Sequence, residues 1–478
     1  MRQRLVSLLA VSCLLSPSVA RAQAAEDVPR FEPADCKIGA PAGASLRCGY
    51  LVVPERRDVV DGATIRLAVA VVSGGHPTSA IPVVYLAGGP GEAGSTDLGP
   101  MNGLLDDNDW IFLDQRGTGF SEPSLACPEV PFSSAGQTVD VQHAADCAAR
   151  LADWGVDLSA YTTESSAADV ADLVRTLGYT QVNLYGPSYG SRLALAVERQ
   201  SPELLRAVIL DGVFPPQASL YADAPISFSR ALRLVFDTCQ ADPGCRAKYP
   251  NVLGTFGHLM AQLHTQPRPI DYMDPSTGQT RHATLDSRLF LEVLDVMLYV
   301  REGIAMIPAL IAITDGGDYG PVGSFLPDVN NYGGAVAVGL YYAVECAEDG
   351  PRLDTPTLLG LEELPGVRQD LGFADELAQV CGVWPSTAAP ARVNAPVQSD
   401  VPTLLLSGRF DPITPPEYAR EAAATLPNSF DVEFAVESHV TLSSSPCSIG
   451  IARAFLSAPE QEPASACADG GDVTFVLP

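Results

Sequence analysis

The sequence predicts an α/β protein: a mainly parallel sheet with helices on both faces, interrupted by one inserted helical segment. Three observations predict it. Short apolar runs that end in glycine alternate with stretches of helical periodicity. The alternation stops near residue 217 and resumes near residue 398. A serine held between two glycines stands where one predicted strand gives way to a helix, in LYGPSYGSRLALA at 184–196. With 478 residues, 46% of them hydrophobic, the chain is long and apolar enough to bury a large core.

The first 24 residues carry two arginines, an apolar run from Leu5 to Leu15, Pro17, and small residues compatible with cleavage after Ala22 or Ala24. That is the pattern of an export signal, and the run is short of the roughly 20 residues a spanning helix needs, so no stable membrane anchor is expected. Loss of residues 1–24 would remove Cys13 and leave Cys36, Cys48, Cys127, Cys147, Cys239, Cys245, Cys346, Cys381, Cys447 and Cys467. An even count without C-x-x-C spacing, in an exported chain, predicts disulfides between sequence neighbours.

Residues 25–216 form the first part of the core. GYLVVPE (49–55) and TIRLAVAVVSG (64–74) read as paired strands, and IPVVYLAGG (81–89) and DWIFLDQRG (109–117) as buried ones. In TTESSAADVADLVRTLGYT (162–180), Ala168, Leu173, Val174 and Leu177 keep helical spacing; Ser165 or Ser166 can cap the start and Gly178 can end it. QVNLY (181–185) is the next strand, SRLALAVERQ (191–200) a helix and RAVILDG (206–212) a strand. From 217 to 397 the apolar stretches, among them 231–240, 287–313 and 332–346, read as helices and predict a cap. The core resumes over 398–478 with a strand in VPTLLLSGRFD (401–411), a helix in PPEYAREAAATLP (415–427), a strand in SFDVEFAVES (429–438) and a helix in CSIGIARAFLSAP (447–459).

The 57 acidic residues outnumber the 29 basic ones, for a net charge of −28, and the basic residues form no run. Nucleic acid and anionic membrane are therefore excluded as expected partners.

Ser188 lies in G-x-S-x-G between a predicted strand and a predicted helix, the context in which two glycines permit a tight turn that presents a nucleophilic hydroxyl. A serine hydroxyl is a weak nucleophile and needs a histidine to take its proton and a carboxylate to orient that histidine. Of six histidines only His439 lies beyond the insertion, on a loop after a predicted strand. Asp411, at the end of a strand and 28 residues before His439, is the preferred acid over Asp431 and Glu437. Thr414 rather than Asp411 is expected to cap the following helix. The glycine-rich LAGGPGEAG (86–94) suits an oxyanion hole, with the Gly89 and Tyr189 N–H groups as donors. No G-K-[ST] follows it, which argues against a phosphate loop.

These motifs together resemble a known family. GGPG after a strand, DQRGTGFS at 114–121, GPSYG at 186–190, SGRFDPITP at 407–415 and SHV at 438–440 are similar to the prolyl iminopeptidase and tripeptidyl aminopeptidase family of α/β-hydrolases. YYAVECAEDGP and CGVWP resemble its secreted tripeptidyl branch. Ala87 stands where prolyl iminopeptidases commonly carry a histidine, which argues against narrow proline specificity. The resemblance implies an α/β-hydrolase fold, Ser188, Asp411 and His439 as the triad, Asp114 and Arg116 bracing the oxyanion loop, and cap carboxylates holding a substrate's α-ammonium. Glu345, Glu348 and Asp349 are the candidates for that last role. The resulting expectation is an exported serine aminopeptidase acting on peptides with a free N-terminus, without metal or organic cofactor. The alternatives are a carboxylic-ester hydrolase on the same triad, or a catalytically silent binding protein.

Overall fold

The computed structural model describes residues 28–41, 43–74, 81–96, 108–130, 140–275, 277–331 and 336–477. The predicted signal segment, with Cys13, lies outside them.

Eleven strands are formed among the described residues: β1 Arg30–Pro33, β2 Ser45–Pro54, β3 Thr64–Ser73, β4 Val83–Tyr85, β5 Trp110–Leu113, β6 Val182–Pro187, β7 Leu205–Asp211, β8 Arg268–Asp274, β9 Gln279–Leu285, β10 Thr403–Gly408 and β11 Ser429–Phe434. Nine of them make one sheet in the order β1-β2-β3-β5-β4-β6-β7-β10-β11. The pairs from β1 to β5 are antiparallel, and those from β5 through β11 are parallel. This is the α/β-hydrolase fold, a mixed sheet that is mostly parallel with helices on both faces.

Both faces of the parallel strands are covered, so their residues are apolar throughout rather than alternately polar. Val84, Ile111, Leu184, Val208 and Leu405 point to one side, where they meet the helices Val141–Asp153, Thr163–Thr176 and Tyr189–Gln200. Tyr85, Phe112, Tyr185, Ile209, Leu404 and Leu406 point to the other, against Ile451 and Phe455 of the helix Pro446–Ser457. The helix Thr163–Thr176 departs from expectation in two details. Its cap is Thr162, whose side chain accepts from the Ser165 N–H, and its buried face carries Ala167, Val170, Ala171 and Val174 rather than Ala168.

Between β7 and β10 the chain is largely helical, from Leu220–Ala241 to Phe373–Cys381. It builds its own apolar cluster, including Phe228, Val235, Phe256, Leu259, Leu294, Ile304 and Ile311. The insertion is not wholly helical, as the sequence reading had it. The antiparallel hairpin β8–β9 lies within it. β8 exposes Pro269, Asp271 and Met273, and β9 exposes Gln279, Thr280, Arg281 and His282 in succession, so the hairpin carries little of the apolar periodicity from which a sequence reading assigns elements.

The ten described cysteines pair as sequence neighbours: Cys36–Cys48, Cys127–Cys147, Cys239–Cys245, Cys346–Cys381 and Cys447–Cys467. None of the described helices is long and apolar enough to cross a membrane.

Candidate active site

Ser188 caps the helix Tyr189–Gln200 directly after β6, with φ 52° and ψ −127°. Positive φ is costly for a residue with a Cβ and persists only where the surroundings impose it. Here they do. A side chain at Gly186 would run into the Gly190 carbonyl, and one at Gly190 into the Leu86 carbonyl. The Ser188 N–H donates to Asp211 O at 2.8 Å, and the Ser188 carbonyl accepts from both the Ser191 N–H and the Ser191 hydroxyl. The two glycines therefore let β6, the helix and the loop after β4 close around a strained, half-buried serine.

His439 lies on the loop after β11, its side chain 8% exposed, with Nδ1 2.8 Å from Asp411 Oδ2. Asp411 follows β10 and is fully buried. It accepts from the Ile413 N–H, the Thr414 N–H and the Thr414 hydroxyl. Burial alone would raise the Asp411 carboxyl, but His439 and the Thr414 donors outweigh it and hold the group below the usual aspartate range. Burial likewise opposes a charged His439, yet Asp411, with Asp211 and Glu92 beyond it, raises the imidazole above its ordinary 6.5. Thr414 does not cap the helix Pro416–Ala423, whose cap is Pro415 without a side-chain bond. Its hydroxyl instead joins Asp411 and lies 3.1 Å from His439 Nδ1. The rival acids are elsewhere engaged or exposed: Asp431 sits on the exposed side of β11, and Glu437 meets Arg301 and Ser444.

Among the described residues no hydrogen bond joins the Ser188 hydroxyl to His439; what brings the two loops together is Asp211, which the sequence reading missed. Its backbone carbonyl holds the Ser188 N–H, and its fully buried carboxylate accepts from the Thr441 N–H at 2.8 Å and the Leu442 N–H at 2.9 Å, just past His439. The next residue, Gly212, packs directly on the imidazole, so that a Cβ there would lie 3.2 Å from His439 Cε1. Tyr299, from the insertion, packs edge-on against the same ring, with centroids 5.0 Å apart. Only the position of Asp211, at the end of a central strand, hinted at this.

The glycine-rich loop runs beside the serine. A Cβ at Gly88 would stand 3.4 Å from Ser188 Cβ and 3.0 Å from Glu92 Oε2. Gly89 follows with φ +102°, a conformation that suits glycine. Asp114 braces this loop by accepting from the Ser95 N–H and hydroxyl, and the Gln115 side chain donates to Ala87 O. Arg116 does not share that task. It turns to Asp169, making two bonds of 2.8 Å, and to the carbonyls of Glu55 and Ala160.

The three acids of YYAVECAEDGP separate. Glu348 is buried against Arg192 at 3.1 Å and accepts from the Thr163 N–H. Asp349 meets Arg352 and the Leu220 N–H. These two are already neutralised: Glu348 ties the insertion to the core through Arg192 and Thr163, and Asp349 ties together segments of the insertion itself. Glu345 is 3% exposed and, among the described residues, makes neither a salt bridge nor a hydrogen bond through its side chain; burial, with Asp349 adjacent, pushes its carboxyl well above the usual range against the pull of Arg192. Its field reaches Tyr189, the residue after Ser188. Among the described residues the one compact group of metal-ligand types, Cys127, Glu129 and Cys147, has its thiols consumed in a disulfide.

Residues 81–240 match the model of the alpha/beta hydrolase fold family, and residues 372–467 that of the TAP-like proteins. The chain is 25% identical over 431 residues to the serine protease Hip1 of Mycobacterium tuberculosis, covering 79% of this chain and 78% of that protein. It is 26% identical over 207 residues to the tripeptidyl aminopeptidase of Streptomyces coelicolor, 38% of each chain. To the proline iminopeptidase of Neisseria gonorrhoeae it is 28% identical over 142 residues, 29% of this chain and 34% of that one.

Proposed function

From the premise that the chain is an α/β hydrolase with a TAP-like segment, distantly related to serine peptidases, we propose that it is an exported serine aminopeptidase that removes short N-terminal pieces from peptides. The observation that carries this reading is the buried Asp411–His439 pair on the loops beside the strained Ser188 elbow. Ser188 Oγ attacks the scissile carbonyl while His439 takes its proton through Nε2. Asp411 holds the Nδ1 proton and stabilises the imidazolium. His439 then protonates the leaving amine, and water enters by the same route to hydrolyse the acyl-enzyme. The N–H groups of Gly89 and Tyr189 are the proposed oxyanion donors.

Glu345 supports the aminopeptidase part of the reading. A buried carboxyl without a protein cation is costly, and a substrate ammonium would neutralise it. Glu348 and Asp349 are given up as ammonium ligands, because Arg192 and Arg352 already occupy them. Relatives named tripeptidyl aminopeptidase and proline iminopeptidase fit this substrate class. The five disulfides fit an oxidising compartment outside the cytoplasm.

The test compares wild type and Ser188→Ala on fluorogenic aminoacyl- and tripeptidyl-amides, each with a free or an acetylated N-terminus, and on a short-chain ester. Serine-dependent cleavage restricted to free amines is expected, and the product identifies the length removed. Ester turnover without amide cleavage would replace the aminopeptidase by an esterase.

A further inference from the structure

The helix Ser287–Leu298 of the insertion ends against the His439 loop: the Ser438 hydroxyl bonds Leu298 O, and Tyr299, the residue after the helix, packs on the imidazole. Asp295 stands one turn before Tyr299, its carbonyl accepting the Tyr299 N–H at 3.2 Å, so the two side chains share a face of the helix. Asp295 is 8% exposed, and among the described residues its carboxylate makes no hydrogen bond and no salt bridge. The charges within its reach are His439, Asp411 and Glu292, two of them negative. Burial pushes its carboxyl up to about 7, with Asp411 and Glu292 adding and His439 opposing. A structural acid at this depth ordinarily comes with an arginine or a set of donors, as Asp169, Asp223 and Glu348 do. Asp295 has neither.

Its side of the site decides which part of a substrate it would meet. In acyl transfer the histidine protonates the departing group, so the leaving fragment lies next to the imidazole, whereas the acyl fragment extends toward the oxyanion loop. Tyr299 and Asp295 approach His439 from the insertion. Glu92 and Glu345 lie by the glycine loop and Tyr189.

Resting on the serine-hydrolase reading above, we propose that Asp295 is a specificity residue that receives a cationic group in the leaving part of the substrate, a lysine or arginine side chain on the first residue after the cleaved bond. The substrate cation would supply the counter-charge that the protein does not. One substrate would thus be gripped at two places: by its α-ammonium on the acyl side, and by a basic side chain on the departing side.

The experiment uses two isosteric substrate pairs and reads a ratio of kcat/KM within each pair, which does not depend on the amount of folded enzyme. The peptide pair has lysine or norleucine after the cleaved bond; the ester pair has a choline or a 3,3-dimethylbutyl leaving group. Wild type is expected to favour the cationic member of each pair by about tenfold. Asp295→Asn should bring the ratio close to one, and Asp295→Glu should keep most of it. A wild-type ratio near one, or a ratio unaltered in Asp295→Asn, would overturn the proposal. If Asp295→Asn fails to fold, the wild-type and Asp295→Glu ratios still decide. If neither peptide is cleaved but both esters are, the aminopeptidase reading falls and the ester pair alone judges Asp295.

Discussion

Around the site, the core and the insertion hold their acidic residues in different ways. In the core each buried carboxylate at the site is saturated: Asp411 by Ile413, Thr414 and His439, Asp211 by Thr441, Leu442 and Tyr185, and Asp114 by Ser95 and Phe120. In the insertion the acids divide. Asp223, Glu348 and Asp349 are satisfied, the first two by core residues Tyr418 and Arg192, whereas Glu345 and Asp295 are buried without a hydrogen-bond or salt-bridge partner among the described residues. The difference teaches a division of labour. Saturated carboxylates fix geometry, as a triad requires. Unsaturated ones lack a counter-charge, which by the proposals above a substrate cation supplies.

The most drastic way to break this comparison is at the nucleophile. Ser188→Ala should lower kcat by about 10⁴–10⁶, the remainder coming from binding and the oxyanion loop, while leaving the thermal midpoint close to wild type. Asp411→Asn should cost about 10³–10⁴ in kcat, because His439 would lose the acceptor that fixes its tautomer.

The pH dependence of kcat/KM gives the sign of the electrostatics. His439 acts as base only when neutral, and its folded-state value lies above 6.5, so activity should fall as the pH drops through a midpoint higher than that of free imidazole. In Asp411→Asn the residual activity should show this midpoint moved to lower pH. A midpoint that stays in place would mean that Asp411 does not govern the imidazole.

Within the insertion the effects are smaller and of two kinds. Glu348→Gln removes the nearest counter-charge of the buried Arg192, leaving it Asp349 at 4.0 Å, Asn394 and the Pro216 carbonyl, and should destabilise the fold by about 3 kcal/mol, read by denaturant unfolding. Glu345→Gln leaves no protein cation unpaired, so its stability should change little or rise. Its KM for free-amine amides should increase by about tenfold, with acetylated or ester substrates little affected. Equal destabilisation by the two changes would erase the distinction between fastening and ligand-binding acids.

How legible each part was follows from the same division. The Ser188 turn and the pairing of Asp411 with His439 were legible because the placement of each residue is dictated locally, by the glycines around it or by the strand just before it. The disulfides were legible for the same reason, since each joins nearest neighbours. The fates of Glu348 and Arg116 were not, because their partners stand 156 and 53 residues away and nothing local marks them. Asp211 was hidden differently: it resembles any strand-end aspartate until its bonds to Thr441 and Leu442, some 230 residues on, are seen. The hairpin β8–β9 was missed because its exposed, polar strands carry little apolar alternation.

The central claim is that this scaffold presents Ser188 as an activated nucleophile, and covalent trapping tests it most directly. Wild type and Ser188→Ala would be treated with a fluorophosphonate and measured by intact-protein and peptide mass spectrometry. The account predicts a single adduct on the peptide containing Ser188, absent from the variant, with its rate falling at low pH as His439 protonates. An unlabelled wild type, or an adduct that persists in Ser188→Ala, would contradict it.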